Sequence, residues 1–469
     1  MTPAKVSDHN DAPSPKRGSG TNPVTEPTNR MGERKDVILG AGLAGLTAAY
    51  TLQRAGEEHW QIFEREDRVG GLARSTAIDG YLFDFGPHIL FTIDAEMEAL
   101  IRDLLGDNFH AQERQAFIYH LASDLYTRFP FQAHLYGLPV PLVKECLVGL
   151  VDAARAQARG EFHPTNYEEW MRGFFGDGIA DRLMIPYAKK IWTVEPSTMD
   201  FSWIGRRVPT PDYERIIAGA LTDDVAQVGA TSSFWYTKSG AIEPLPKALG
   251  ARVNNVQLGR TMERIELPEK QVVFADGEIV PFDHLIFSLP LCFLPRFIPN
   301  LPYEVERACK GLQYQGIYCI NLGIDRPNVS DKHWVYFYEE PFPFHRLSFP
   351  ATFSPDTVPP GKSSIATEVA FSKSRPLDKD QAVERTIQAL QVAKILTPDD
   401  KIELIHTVEI QPAYVIYDLD HAKNLEIIRA YLRAHGIWNV GRFGEWQYHN
   451  MDHSMRSGKT AAEEILASR

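Results

Sequence analysis

Residues 36–71 read DVILGAGLAGLTAAYTLQRAGEEHWQIFEREDRVGG, and this stretch decides the fold. The apolar residues 37–39 suit a short buried strand of a parallel sheet. Gly40, Gly42 and Gly45 follow with the G-x-G-x-x-G spacing, and residues 43–54 have helical periodicity. A second apolar segment ends at Glu64. This order of strand, glycines, helix, strand and acid predicts a Rossmann-type unit that binds a dinucleotide.

Each glycine of this unit has a physical reason. Gly40 permits the tight turn from strand to helix, and Gly42 has no side chain to keep a pyrophosphate away from the backbone. Gly45 lets the helix pack close to the strand. The N–H groups and the positive dipole end of the helix then favour phosphate. Glu64 lies where a carboxylate accepts hydrogen bonds from the ribose hydroxyls.

The residues after Glu64 narrow the choice of cofactor. They read E-R-E-D-R-V-G-G-L-A-R, which resembles an extension found in FAD-dependent amine oxidases, protoporphyrinogen oxidases and UDP-galactopyranose mutases. The resemblance implies FAD rather than NAD. It places Arg65, Gly70, Gly71 and Leu72 against the cofactor.

The composition excludes several classes of function. The chain has 469 residues, 44% of them apolar and 23% charged, with a net charge of −12. This charge argues against non-specific binding to nucleic acid or to an anionic membrane. No apolar segment is long enough to span a bilayer, and no secretory signal is visible. The four cysteines have no metal-ligand spacing, so we expect a reduced, cytoplasmic protein without a structural metal.

The sequence predicts an α/β fold with a discontinuous Rossmann-type FAD-binding domain, an inserted helical lobe and an antiparallel-sheet substrate domain. Residues 1–35 are polar and poor in apolar side chains, which predicts a disordered tail. The predicted parts are the FAD-binding domain (residues 36–95, 235–300 and 436–469), the helical lobe (135–210) and the substrate domain (96–134 and 301–435).

Further motifs resemble the UDP-galactopyranose mutase family, the eukaryotic type especially, over nearly all of residues 36–466. Residues 86–91, GPHILF, are similar to its G-G-H-x-x-F loop, and residues 129–132, FPFQ, to its Y-P-F-Q. Tyr336 and Arg346 stand ten apart, as in its W-x-Y-F…P-F-x-R. Residues 441–454 resemble its C-terminal G-R-F-G-x-W-x-Y…D-H-S pattern.

This resemblance implies a role for each matching residue. The nucleotide diphosphate would be bound by two arginines and three tyrosines: Arg207, Arg346, Tyr336, Tyr414 and Tyr448. The nucleotide and sugar would also contact Phe91, Phe129, Phe131, Gln132 and Trp192. The flavin side would add His88, Gly441, Arg442, Asp452, His453 and Ser454. His88, Arg207, Arg346, Arg442 and Tyr448 are the implied catalytic residues.

The implied reaction is the interconversion of pyranose and furanose forms of a nucleoside-diphosphate hexose. Reduced flavin N5 would act as nucleophile on the anomeric carbon, after reduction by NAD(P)H or another cellular reductant. The chain departs from the family pattern at Phe129, Ala133, Ala188 and Thr231. All four departures lie on the substrate side, so we expect the flavin chemistry to persist while the sugar or base differs.

Two other functions remain open from the sequence. One is an FAD-dependent oxidase or desaturase of the amine oxidase or protoporphyrinogen oxidase type, which shares the residue 40–71 region. The other is a non-enzymatic FAD-binding or nucleotide-sugar-binding regulator. The residues leave the base, the sugar and the oligomeric state undecided, including whether the protein forms an oligomer.

Overall fold

We describe the protein from a computed structural model, which covers residues 35–205, 210–223 and 232–469. The predicted tail lies outside these residues apart from Lys35, and so do Arg207 and Thr231.

A parallel sheet carries the predicted dinucleotide unit. Its strands lie in the order β19, β13, β1, β2, β9. Their bounds are β1 Asp36–Leu39, β2 Trp60–Phe63, β9 Val256–Gln257, β13 His284–Phe287 and β19 Ile437–Asn439. β1 lies centrally because residues 36–39 are buried on both faces, as a parallel strand covered by helices must be. The apolar segments at both ends of the chain thus meet in one sheet.

The second large sheet is mostly antiparallel and has the order β18, β14, β17, β16, β15, β6, β7. Its strands are β6 Ala116–His120, β7 Leu125–Arg128, β14 Gln313–Ile324, β15 Trp334–Tyr336, β16 Arg346–Ser348, β17 Ser363–Phe371 and β18 Ile402–Ile416. β6 and β15 pair in parallel, which joins a hairpin from early in the chain to strands from late in it.

Three smaller sheets complete the β-structure of the described residues. They contain β3 Ser75–Ile78 with β4 Tyr81–Asp84, β5 His110–Glu113 with β8 Ser233–Tyr236, and β10 Met262–Glu266 with β11 Gln271–Phe274 and β12 Ile279–Pro281. The Asp-Gly pair at residues 276–277 predicts a hairpin turn, and the structure confirms that this turn joins β11 to β12.

The helices cover the parallel sheet and form the region between the sheets. They are α1 Leu43–Arg54, α2 Ala95–Leu105, α3 Val140–Ala158, α4 Tyr167–Ile179, α5 Ile185–Trp192, α6 Tyr213–Leu221, α7 Pro244–Gly250, α8 Leu294–Phe297, α9 Tyr303–Gly311, α10 Pro350–Phe353, α11 Lys379–Val392, α12 His421–Ala434, α13 Gly441–Gly444 and α14 Met451–Ala467. None of those in the described residues is long and apolar enough to cross a membrane.

The predicted fold class is confirmed, with local corrections. The sequence predicts a closing helix over residues 454–467, but α14 begins at Met451, where the extended backbone of Asn450 gives way to helix. The sequence also predicts a helix break near residues 176–178, and this break is present inside α4, where Gly176 has φ +77°. A Cβ at Gly176 would lie 2.1 Å from the carbonyl carbon and oxygen of Gly149 in α3, so this close crossing requires glycine.

Candidate functional site

The first glycine stretch forms a tight turn at the carboxyl end of β1. Gly40 has φ +96°, a left-handed conformation that favours glycine. A Cβ at Gly45 would lie 2.0 Å from the Gly40 carbonyl oxygen, so any side chain there would push α1 away from β1. Gly42 begins α1 and has more room, since its added Cβ would meet only the Gly71 Cα, at 3.7 Å.

A second glycine stretch packs directly against the first. The Gly70 N–H donates to the Ala41 carbonyl at 2.8 Å, and Gly42 and Gly70 form an isolated bridge. A Cβ at Gly71 would lie 3.1 Å from the Gly42 Cα. We call the five glycines of these two stretches the glycine cradle: Gly40, Gly42, Gly45, Gly70 and Gly71.

The start of α1 is built to receive an anion. No side chain caps its N-terminus, and its first turn has no acidic residue. Four N–H groups at a helix start have no partner within the helix, and the helix dipole is positive there. A phosphate placed above Gly42 would meet both.

Glu64 follows β2 and is held beside the glycine cradle by two backbone N–H groups. Its Oε2 accepts from the Ala41 N–H at 2.8 Å, and its Oε1 accepts from the Glu66 N–H at 3.1 Å. Glu64 is buried, whereas the Arg65 side chain is 74% exposed and pairs with Glu66. The structure thus places Glu64 in the cradle and turns Arg65 toward solvent.

The C-terminal motif returns to the same place. Gly441 has φ +76°, and its added Cβ would lie 2.8 Å from the Ala44 Cβ of α1. Arg442 donates to the Ala413 carbonyl from Nε at 3.2 Å and from Nη2 at 3.0 Å. Its Nη1 donates to the His449 carbonyl at 2.6 Å. The guanidinium therefore ties α13 to β18.

The start of α14 contributes a second helix terminus. Burial alone would raise the pKa of Asp452, but hydrogen bonds from His453 and Thr92 outweigh it, and the pKa lies below its ordinary value. Asp452 is thus an anion in the first helical turn, a position that the helix dipole favours. The Ser454 N–H donates to the Asn450 carbonyl at 3.1 Å, so that amide is already engaged within the protein.

His88 lies on the loop after β4, close to a carboxylate. Its Nδ1 lies 2.7 Å from the Gly86 carbonyl, which can only accept, so Nδ1 carries the proton. Burial lowers the pKa of His88, although nearby Asp84 opposes this shift. A neutral ring of this tautomer has Nε2 as an acceptor. Asp84 itself accepts from the Tyr236 hydroxyl at 2.7 Å.

The predicted diphosphate residues Tyr336 and Arg346 are direct partners across β15 and β16. The next strand, β17, places Glu368 opposite Arg346. Arg346 donates to Glu368 from Nε at 2.5 Å and from Nη2 at 2.9 Å. Burial acts to raise the pKa of Glu368, but the Arg346 guanidinium outweighs it and the pKa is lowered. Both groups are therefore charged.

Aromatic rings surround this ion pair. Phe129 stacks on Tyr336 with centroids 4.5 Å apart, and Tyr187 meets Tyr336 edge-on at 5.6 Å. Tyr414 stacks on Tyr448 at 5.4 Å, and the Arg442 Cζ lies 4.8 Å from each of their centroids. We call the following residues the arginine–tyrosine centre: Arg346, Glu368, Tyr336, Tyr414 and Tyr448.

The remaining predicted substrate residues differ in burial. Phe131 is 1% exposed and Trp192 is 4% exposed, and both belong to the core of the helical region. Phe91 and Gln132 are half-buried. Leu72, predicted on the flavin side, packs against Ile317 and Cys319 of β14.

Sequence reasoning missed Glu368, although a signal was present. Glu368 stands inside the strand sequence SSIATEVAF, in which all nine residues are buried. A carboxylate in such a strand needs a cation or hydrogen-bond donors. Tyr187 and Asp84 have no local sequence signal that indicates their contacts with Tyr336 and Tyr236.

Comparison with known proteins adds to this geometry. A model of the flavin containing amine oxidoreductase family matches residues 43–466. The chain is 42% identical to 4,4'-diapolycopene oxygenase of Methylomonas sp., over 73% of this chain and 75% of that protein.

The chain belongs to the flavin containing amine oxidoreductase family. It is therefore a flavin-dependent enzyme with FAD as its cofactor. The residues fit that cofactor, because the cradle has room over Gly42 where a side chain would block a pyrophosphate, and the start of α1 offers N–H groups to it.

Two solved structures of other proteins share the fold of this chain to different degrees. A crystal structure of reduced UDP-galactopyranose mutase has a TM-score of 0.87 and 28% identity, covering 94% of this chain and 95% of that one. A putrescine oxidase bound to putrescine has a TM-score of 0.63 and 16% identity, covering 92% of this chain and 99% of that one. The second likeness shows the fold alone.

Proposed function

We propose that this protein is a flavin-dependent nucleotide-sugar mutase, which interconverts the pyranose and furanose forms of a nucleoside-diphosphate hexose. The arginine–tyrosine centre carries the proposal. It joins a half-buried guanidinium to three phenolic side chains in a protein whose net charge is −12. A diphosphate matches this set, because guanidinium and hydroxyl donors bind phosphate oxygens.

The centre has donors to spare for such a ligand. Glu368 takes up Nε and Nη2 of Arg346, so Nη1 is the nitrogen left for a phosphate oxygen. Burial raises the pKa of Tyr414, followed in effect by the neighbouring Tyr448, so the Tyr414 hydroxyl keeps its proton at neutral pH. A protonated amine would be repelled by the guanidinium rather than bound by it.

The structural neighbours favour the same function. The likeness to reduced UDP-galactopyranose mutase, with a TM-score of 0.87, is closer than the likeness to putrescine oxidase, with 0.63. The proposed substrate residues Tyr336 and Arg346, which stand ten apart as in the motif of that family, are direct partners across β15 and β16.

In this proposal, bound FAD in its reduced form supplies a nucleophile for the anomeric carbon. The protein's residues bind, orient and hold protons around it. Arg346, Tyr336, Tyr414 and Tyr448 hold the diphosphate in place while it is detached from the sugar. His88, neutral and protonated at Nδ1, offers Nε2 as an acceptor for a proton or hydrogen bond.

The proposal also assigns a role to each part of the chain. Residues 36–95, 235–300 and 436–469 bind FAD, whereas residues 96–134 and 301–435 form the substrate sheet. Residues 135–210 supply the helical lobe, and Arg207 would be a second diphosphate-binding arginine. NAD(P)H is the proposed reductant.

An FAD-dependent oxidase or desaturase is the second candidate. It is favoured by the 42% identity to 4,4'-diapolycopene oxygenase. The two candidates differ in their use of oxygen, because an oxidase consumes it with the substrate and a mutase has no net redox change.

Turnover tests the proposal directly. Protein reduced with dithionite or NADPH is incubated with a panel of nucleotide sugars, and furanose products are separated by chromatography. We expect at least one nucleotide sugar to be converted by the reduced protein. No conversion across the panel, together with oxygen uptake on an apolar or amine substrate, would support the oxidase.

Binding by the oxidised protein gives an independent test. Tyr448→Phe should weaken UDP binding by about 1 kcal/mol, the scale of one hydrogen bond. Tyr303→Phe is the matched control, since Tyr303 is 78% exposed on α9. Equal UDP affinities for both variants would remove Tyr448 from the diphosphate site.

A further inference from the structure

Gln315 is a buried side chain without a hydrogen-bond partner. It lies on β14 and is 0% exposed. Neither its Nε2 nor its Oε1 meets a donor or acceptor among the described residues. Buried amides are almost always paired in folded proteins, so this one calls for a partner that the chain itself does not supply.

The pairing of β14 with β18 is irregular next to Gln315. Gln315 is the register partner of Tyr414 on β18, but the partner of Ile317 is Ile410, so the ladder skips three residues of β18. Ala413 lies within this irregularity, and its carbonyl accepts from Arg442. Irregular pairing of this kind is common beside active sites, where it re-aims side chains.

Gln315 lies on the face of β14 that contributes to an apolar cluster with Leu72 and Phe85. Side chains alternate along a strand, so Gln315 shares its face with Ile317 and Cys319. Those two residues pack with Leu72, which follows the glycine cradle, and with Phe85, which precedes the loop of His88. On the other face, Tyr314 meets Phe293 and Trp446.

The chemistry of a carboxamide narrows the missing partner. It presents an acceptor oxygen beside a donor NH₂ group. A cyclic imide presents the complement, an N–H beside a carbonyl. Both the flavin pyrimidine ring and a uracil or thymine base have such an edge. The register partner of Gln315 on β18 is Tyr414, and neither polar atom of the amide bonds to its hydroxyl.

We propose that Gln315 is a flavin-binding residue whose carboxamide hydrogen-bonds the imide edge of the isoalloxazine. The flavin is favoured over a nucleobase because Leu72 and Phe85 come from the cofactor-side stretches. The predicted base slot, residues 129–132, belongs to other elements. This inference depends on FAD as the cofactor and is independent of the mutase proposal.

Apoprotein titrated with FAD tests the inference without any assay of turnover. Gln315→Leu keeps a similar volume and removes both polar atoms. We expect its FAD dissociation constant to rise about tenfold, the effect of one lost buried hydrogen bond. Gln313→Leu is the matched control, since Gln313 is exposed two residues earlier on β14, and should bind FAD as the wild type does.

Thermal unfolding of the same apoproteins excludes a folding defect. Because the amide is unpaired without cofactor, apo Gln315→Leu should be at least as stable as the wild type. If Gln315→Leu fails to fold, Gln315→Met gives the same test with a more adaptable side chain. Unchanged FAD affinity in a folded Leu or Met variant would overturn the inference.

Two further measurements separate the flavin from a nucleobase. Gln315→Glu should make the flavin midpoint potential more negative, because a carboxylate near the ring opposes the gain of negative charge on reduction. Titration of oxidised Gln315→Leu with UDP and with inorganic pyrophosphate should give wild-type affinities. Loss of UDP binding alone, with FAD affinity unchanged, would assign Gln315 to the base and overturn the flavin assignment.

Discussion

The glycine cradle and the arginine–tyrosine centre present opposite kinds of hydrogen-bond donors. The cradle offers backbone N–H groups, and its five residues contribute no side chains. The centre offers side chains from β15, β16, β17 and β18 of the second large sheet, together with the loop at Tyr448. The cradle is thus specified by adjacent residues, whereas the centre exists only after a sheet has formed.

Mutations should also destabilise the two regions in different ways. An added methyl group at Gly45 meets the Gly40 backbone, which cannot move aside without moving β1 or α1. In the centre the loss of one charge leaves another one buried. Mutation should therefore damage the cradle by adding atoms and the centre by removing them.

The largest effect is expected from breaking the ion pair of the centre. Arg346→Ala leaves Glu368 buried at 1% exposure without its cation. We expect the free energy of unfolding to fall by about 3–5 kcal/mol. The double variant Arg346→Ala/Glu368→Gln should recover part of the loss, since no unpaired charge remains. Urea unfolding of both variants measures the difference, and equal stabilities would show that the pair is not coupled.

A smaller but clear effect is expected in the cradle. Gly45→Ala puts a Cβ 2.0 Å from the Gly40 oxygen and should lower the unfolding free energy of the apoprotein by about 3 kcal/mol. Gly42→Ala is the control, since its Cβ has no contact closer than 3.7 Å. That variant should fold and yet bind FAD weakly. FAD-free unfolding and FAD titration separate these outcomes, and a stable Gly45→Ala apoprotein would contradict the steric account.

The second large sheet, which carries the arginine–tyrosine centre, should also be more acid-sensitive than the glycine cradle. The Gln115 N–H donates to Nδ1 of His333 at 2.9 Å, a bond that only the neutral ring accepts. Burial lowers the pKa of His333 to about 4, below the ordinary 6.5. As pH falls below 6.5 the unfolded chain takes up the proton first, so stability is lost between about pH 6.5 and 4. The expected loss is about 2–3 kcal/mol.

His333→Asn keeps an acceptor for Gln115 and removes the titrating ring. Its unfolding free energy should change less between pH 7 and pH 4 than that of the wild type. The same pH dependence in both proteins would mean that His333 does not titrate as described.

The smallest effect is expected from the N-terminal tail, which belongs to neither region. Its composition lacks the apolar residues needed for packing. Deleting residues 1–30 should leave FAD content unchanged and alter the unfolding free energy by less than about 0.5 kcal/mol. A fall of several degrees in melting temperature would show that the tail packs on the protein.

The local parts of the fold were predictable from sequence. The predicted helix at residues 43–54 and the predicted strand at residues 60–63 match α1 and β2. Their signals are periodicity and glycine spacing, which involve neighbouring residues only. The choice of Tyr336 and Arg346 as site residues followed from the family motif, and their pairing across β15 and β16 was not predicted.

The contacts across strands were not predictable in this way. Glu368 lies 22 residues after Arg346, and only the register of β16 with β17 brings the two together. That register depends on the whole sheet, including β18, a strand of fifteen residues that was not predicted from the sequence. The partner of a buried charge is therefore a property of topology.

The central claim is that the flavin acts here without net redox change. It is tested by incubating one nucleotide sugar with oxidised and with reduced protein under anaerobic conditions, and then admitting oxygen. We predict furanose formation only by the reduced protein, over many turnovers and without stoichiometric use of reductant or oxygen. Substrate oxidation by the oxidised protein, with one oxygen consumed per turnover, would contradict the account and identify an oxidase.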